Sequence, residues 1–133
     1  MHPEISATLE NAVMTALSPL PVKLENMGYD PVPGKPWARF TYRPARTESA
    51  ALGAKTVEYK GYAQVDIFVP AGSGPGAADA YANAVEAALP IGMSIPVGSD
   101  GLNIISVSRM HSVEEPVWYN VPIGIFWRLH HQL

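Results

Sequence analysis

Four histidines, one pair of adjacent glutamates and two glycine-rich turns are the residues whose types and spacing could do chemistry. Pro70-Ala71-Gly72-Ser73-Gly74-Pro75-Gly76 precedes a helical stretch. There, free N–H groups and the helix dipole can hold a phosphate. A phosphate loop needs Lys and Ser or Thr after its last glycine. Gly76 is followed instead by Ala77-Ala78-Asp79, and Asp79 puts negative charge where the anion would sit. A turn with Ser73 or Gly74 as helix cap, and Pro75 at the first helical position, accounts for the same residues.

The histidines are His2, His111, His130 and His131. His130 and His131 are adjacent, so on a strand they point to opposite faces. They lack the one-sided spacing of a zinc-binding helical pair, and we read them as a solvated tail end. Gly72-Ser73-Gly74 and Gly98-Ser99-Asp100-Gly101 resemble a nucleophile elbow in composition only, because GxSxG is absent. Glu114-Glu115, just before Pro116, could share a cation, but on a loop such a pair solvates a turn. The chain has no cysteine, which excludes disulfides, thiolate metal sites and a Cys nucleophile. We therefore expect no catalytic, cofactor-binding or metal-binding residues.

The 133 residues suit a single domain spanning 1–133. Nine Lys and Arg face twelve Asp and Glu, a net charge of −3 with no basic run, which argues against a dedicated nucleic-acid binder. No apolar run is long enough to span a membrane. Met1-His2-Pro3-Glu4 lacks the basic flank and apolar stretch of a signal peptide, so we expect a chain made and kept in the cytosol.

The elements that must position these residues are legible as periods. Ile5, Leu9, Val13 and Leu17 recur every four residues and predict a helix over 4–17, ended by Ser18-Pro19 and Pro21. The Pro- and Gly-rich segment 20–36 reads as an irregular connection. Residues 37–43 alternate, with Ala38, Phe40 and Tyr42 on one face. Residues 44–55 have no clean period, and we expect a long, mobile hairpin tip at about 44–56. Residues 56–69 form the clearest strand, with Val57, Tyr59, Gly61, Ala63, Val65, Ile67 and Val69 on one face. A second helix over about 77–89 has an alanine-rich stripe. Strands are then expected over 93–97, 102–110 and 117–129. Pro122 removes a ladder donor, which predicts an edge position or a bulge there. The order α-β-β-α-β-β-β implies an α+β fold: a mostly antiparallel sheet of about five strands, packed by two helices on one face.

Aromatic residues fall on both faces of the long strands. Trp127 and Tyr119 share the core face. Trp118 and Phe126, with Tyr62 and Phe68 of the neighbouring strand, share the other. That second aromatic surface needs either a covering helix in the same chain or a subunit interface, where aromatics are enriched.

The segment Tyr62-Ala63-Gln64-Val65-Asp66-Ile67-Phe68-Val69-Pro70-Ala71-Gly72-Ser73-Gly74, preceded by Gly61, resembles the strand xGxxQVDVFxPxGxG of bacteriophage tail terminators and related minor tail proteins of prophages. Pro36-Trp37-Ala38-Arg39-Phe40-Thr41 and Trp118-Tyr119-Asn120-Val121-Pro122-Ile123 match two further strands of that family, in order. Residues 46–55 match no family pattern. The resemblance implies a structural protein of the virion tail or neck rather than an enzyme, assembled in the bacterial cytoplasm. It implies a ring homo-oligomer, commonly of six subunits, that caps the tail tube, stops its polymerisation and offers a surface for head–tail joining. Its partners would be itself, the tail-tube protein and the head–tail connector, with DNA passing transiently through the lumen and no membrane contact. The alternatives are another neck or tail-tube subunit, or a small ligand-binding or enzymatic α+β domain.

Within that frame the tip residues Arg43, Arg46, Lys55 and Lys60 are expected at the lumen or tube end. Tyr62, Phe68, Trp118 and Phe126 are expected at subunit contacts. Phe68→Asp is accordingly expected to weaken assembly and leave a folded monomer.

Overall fold

The computed structural model describes residues 4–49 and 56–132. Helix α1 spans Glu4–Leu17 and α2 spans Gly76–Ala88. The strands are β1 (Val22–Lys23), β2 (Trp37–Ser49), β3 (Thr56–Pro70), β4 (Ser94–Val97), β5 (Asp100–Arg109), β6 (Val113–Glu114) and β7 (Trp118–Gln132). They form one seven-stranded sheet in the order β1-β2-β3-β7-β5-β4, with β6 also pairing to β7.

The α+β class and the two helices stand as expected, but the sheet is larger and mixed. β1 and β6 are two residues each, too short to display a period, and both escape a sequence reading. β1 runs parallel to β2, whereas all other pairs are antiparallel. The expected tip at about 44–56 is also shorter than its sequence suggests. β2 continues to Ser49, with a register shift between Pro44 and Arg46 and pairing resumed from Arg46 opposite Lys60 to Ser49 opposite Val57. A bulge adds one residue and breaks the two-residue alternation, so the segment looks aperiodic. Residues 50–55, Lys55 among them, lie outside the described residues.

β7 is central, contrary to the edge or bulge that Pro122 predicted. Pro122 accepts a hydrogen bond through its carbonyl from Met110 N at 2.9 Å. A strand residue directs its N–H and C=O to the same neighbour. The missing donor therefore faces the interruption between the end of β5 and the start of β6, where no ladder bond is lost.

The core lies between the helices and one sheet face. Ile5, Leu9, Val13 and Leu17 of α1 and Ala78, Ala82 and Val85 of α2 are buried against Phe40, Val65, Ile67, Ile104, Ile123, Ile125 and Trp127. The small stripe of α2 lets it pack close to the sheet. Arg109 ties that helix down, its guanidinium donating to Glu86 at 2.7 Å, Asp79 at 3.1 Å and Asn83. The Asp79 carboxylate in the first turn is thus spoken for by a cation of the same chain. Pro75 is the N-cap, with no side-chain cap bond, and Ser73 Oγ donates to Pro70 O instead.

Trp127 is fully buried, and Tyr42 stacks on it with ring centroids 5.7 Å apart. Burial pushes the Tyr42 phenol up to about 12. Truncating Trp127 removes the largest buried side chain at the centre of this packing. Trp127→Ala is expected to cost about 3–5 kcal/mol, read as a fall in the urea midpoint by tryptophan-independent circular dichroism.

Candidate assembly surface

Both helices cover the same face of the sheet, so the opposite face is built from the alternate residues of β2, β3, β5 and β7. Register fixes the rows that cross it. Trp37, Phe68, Asn120 and Val113 lie opposite one another at one end. Thr41, Gln64, Gly124 and Ser108 form a middle row, and Arg43, Tyr62, Phe126 and Ser106 the next. Arg46, Lys60, Arg128 and Asn103 hold the register positions beyond.

The Trp37 end is closed by its own aromatics. Trp37 stacks on Phe68 with centroids 4.3 Å apart and planes 10° from parallel. Tyr29, from the Pro-rich connection, leans on Trp37 at 5.4 Å, and Trp118 meets it edge-on at 6.2 Å. Phe68 is left only 4 % exposed, with the Arg39 guanidinium 5.2 Å from its ring centre. Phe68 therefore forms the floor of this face in the free chain, and Trp118 is half-buried beside it.

A polar chain runs along β3 at every second residue. Tyr62 O–H donates to Gln64 Oε1, and Gln64 Nε2 donates to Asp66 Oδ1 at 2.9 Å. Arg39 closes it, donating from Nη2 and Nε to Asp66 Oδ2 at 3.1 and 3.3 Å. Asp66 is 2 % exposed, so the chain supplies the partners that a buried carboxylate requires.

The Phe126 end is open. Tyr62 tilts against Phe126 at 5.3 Å. Ile105 and Met110 are exposed beside them. A Cβ on Gly124 would stand 3.4 Å from Tyr62 Cε2 and 3.8 Å from Met110 Cε and Phe126 Cε2, so these side chains close over a glycine. Ile105 reaches this face because β5 bulges between Ile104 and Ser106. The result is a shallow groove of about 590 Å³ lined by Lys60, Tyr62, Ile105, Ser106 and Phe126.

Of the expected contact residues, the fold thus brings Tyr62 and Phe126 together on an open patch, with Lys60 at its rim, and places Phe68 and Trp118 in a separate closed cluster. Arg43 is exposed and 3.6 Å from Glu25, and Lys60 is 3.4 Å from Glu58. Sequence reasoning missed Arg39, Gln64 and Asp66, although the two-residue spacing of Tyr62, Gln64 and Asp66 was visible. It also missed Arg128, Ile105 and Met110. Only Ile105 had no signal, because a bulge is set by pairing.

His130 and His131 are not a loose tail end. β7 runs on to Gln132, and His130 Nε2 meets Glu58 Oε2 at 2.8 Å while His131 Nδ1 meets Asp100 Oδ2 at 2.7 Å on the other side. Among the described residues no three His, Asp or Glu side chains are grouped to hold a metal, and no helix is long and apolar enough to cross a membrane.

The family model for phage tail terminator proteins matches residues 4–127. The chain belongs to the phage tail terminator family. This terminator is therefore a structural protein of the virion tail, not an enzyme, and works in contact with other tail proteins. Two solved structures share its fold. One has a TM-score of 0.72 at 22% identity, covering 96% of this chain and 91% of the other. The second is a chain in the virion of a native gene transfer agent particle, with a TM-score of 0.63 at 14% identity, covering 97% of this chain and 96% of that one. No curated protein matches the terminator's sequence.

Two outcomes follow from this surface. Phe68→Asp would replace a buried, stacked ring with a carboxylate under Trp37, so it is expected to unfold the terminator rather than yield the folded monomer that the sequence suggested; circular dichroism decides. The hydrogen bond from His130, helped by Lys60, holds the Glu58 carboxyl below its ordinary value. A carboxylate lowered in the folded state adds stability above its ordinary titration range and loses it as pH falls through the lowered value. Glu58→Gln is expected to leave less acid-dependent loss of stability below about pH 4.5, seen by urea melts at stepped pH.

Proposed function

We propose that this terminator assembles as a six-subunit ring on the end of the completed tail tube, stops tube polymerisation and presents the surface to which the head connector joins. One observation carries the reading. The sheet keeps a whole face clear of its own helices, and that face exposes Phe126, Ile105 and Met110 together. Exposed apolar clusters of this kind mark interaction surfaces. Family membership and the shared fold with a chain in a gene transfer agent virion support the same reading.

The partners are other copies of the chain, the tail-tube protein and the head–tail connector, brought together in the host cytoplasm. The hairpin of β2 and β3, with Arg43, Arg46, Lys55 and Lys60, reaches the lumen or tube end. There its basic residues guide passing DNA without holding it. A few phosphate contacts give weak, salt-sensitive attraction of that sort.

Light scattering over a wide concentration range, with and without purified tail-tube protein, tests the ring. The expected result is a rise to a fixed closed mass. A monomer under both conditions would end the proposal. For the hairpin, Arg43→Glu with Arg46→Glu is expected to impair tail-length control or head joining in assembled particles. Particles with normal tails and heads would remove the hairpin from the lumen.

A further inference from the structure

The open groove has a complement elsewhere on the same molecule. β6 and β7 are joined by a tight hairpin whose exposed residues read Val113-Glu114-Glu115-Pro116-Val117. Its backbone is fixed, with Glu115 N donating to Trp118 O at 2.8 Å and Ala71 N to Val117 O at 2.9 Å. Val117 is 61% and Val113 45% exposed, and Glu114 and Glu115 have no ion-pair partner among the described residues. A preformed apolar and acidic knob of this kind docks without paying to order its backbone.

The groove offers the opposite pattern. Phe126, Ile105 and Tyr62 provide the apolar floor, and Phe126 is 47% exposed. Lys60 and Arg128 stand directly opposite each other on β3 and β7 at its rim, with Arg43 one row away. Lys60 is held by Glu58 at 3.4 Å, which leaves the Arg128 guanidinium as the charge that an acidic ligand meets. Arg128 is exposed and has no ion-pair partner among the described residues.

Knob and groove cannot meet within one chain. Val113 pairs with Asn120, six residues from Phe126 along β7, about 20 Å at strand rise. We propose that the β6–β7 hairpin of one copy seats on the open sheet face of a second copy, with Val113 and Val117 on Phe126, Ile105 and Tyr62, and Glu114 and Glu115 facing Arg128. Because the two patches differ, the contact can repeat head to tail around an axis, which is the arrangement a ring requires, and the mass in solution separates this from a reciprocal two-fold pair. It names the contact through which the proposed ring closes and rests on that reading for its closure.

The absence of cysteine makes the test clean. Val117→Cys and Phe126→Cys proteins are oxidised alone and mixed. The mixture is expected to give a disulfide-linked dimer, and neither protein alone is expected to do so. Glu114→Lys with Glu115→Lys in the first protein is expected to cut the mixed product about tenfold or more. Arg128→Glu in the second is expected to do the same, and combining both charge-reversed proteins to restore it. These charges are exposed, so folding is preserved, which circular dichroism checks. Cross-linking of either protein only to itself, no mixed product, or charge reversals that neither weaken nor rescue would overturn the contact. If scattering finds a ring but the mixed product fails, the contact falls and the ring stands. If the mixed product forms without a closed mass, the contact stands and the ring falls.

Discussion

The antiparallel ladder between β3 and β7 is the constraint on which the rest of the molecule depends. It pairs every residue from Thr56 with Gln132 to Pro70 with Trp118, without a register shift. Side chains alternate with a period of two, so a slip of one residue would carry Val65, Ile67, Ile123 and Ile125 out of the core and bring Gln64, Asp66 and Phe126 into it. Both strands carry the same alternation over their central stretch, and each fixes the other's register. Both bulges lie on the other ladders, at Pro44/Arg46 and at Ile104/Ser106. Departures from regularity are placed where they re-aim side chains without disturbing the spine.

With that ladder fixed and both helices on one side, the other side must solve two problems in the free chain. It has to tolerate water, and it has to keep large side chains from collapsing onto foreign surfaces. The Trp37 end solves the second by stacking Trp37 on Phe68 under Tyr29. The middle solves the first with the chain from Tyr62 through Gln64 and Asp66 to Arg39. A half-made polar network would be worse than an apolar floor, and here each link has its partner. The Phe126 end is left unsolved by the chain itself. That difference along one face separates its closed end from its open one.

The same logic explains the scarcity of chemistry. Five carboxylates are tied to cations or imidazoles on neighbouring elements: Asp66 to Arg39, Glu58 to His130, Asp100 to His131, Asp79 and Glu86 to Arg109. Each pair links two elements, so the charges of this sparsely charged chain hold the sheet and α2 in place. Such cross-ties fix the elements relative to one another, and contacts between preformed surfaces lose less entropy on assembly.

The sequence by itself determined the two helices, the four longer stretches of alternation, the core face and the family. Those rest on local periods and ordered motifs that need no partner strand to be visible. Ile5, Leu9, Val13 and Leu17 could only be one helical stripe, and the alternation from Val117 to Leu129 could only be a strand. The tertiary structure alone decided the rest. Two-residue strands have no period, so β1 and β6 exist only through the neighbours they pair with. Ile105 joins Phe126 because β5 bulges, and Pro122 sits in a central strand because the gap between β5 and β6 happens to face it. Phe68 and Phe126 share a face and a residue type, yet one is covered and the other stands open. What separates them is Trp37, which the fold lays over Phe68 and not over Phe126, and a side chain's neighbours across a sheet are set by pairing that no local pattern encodes.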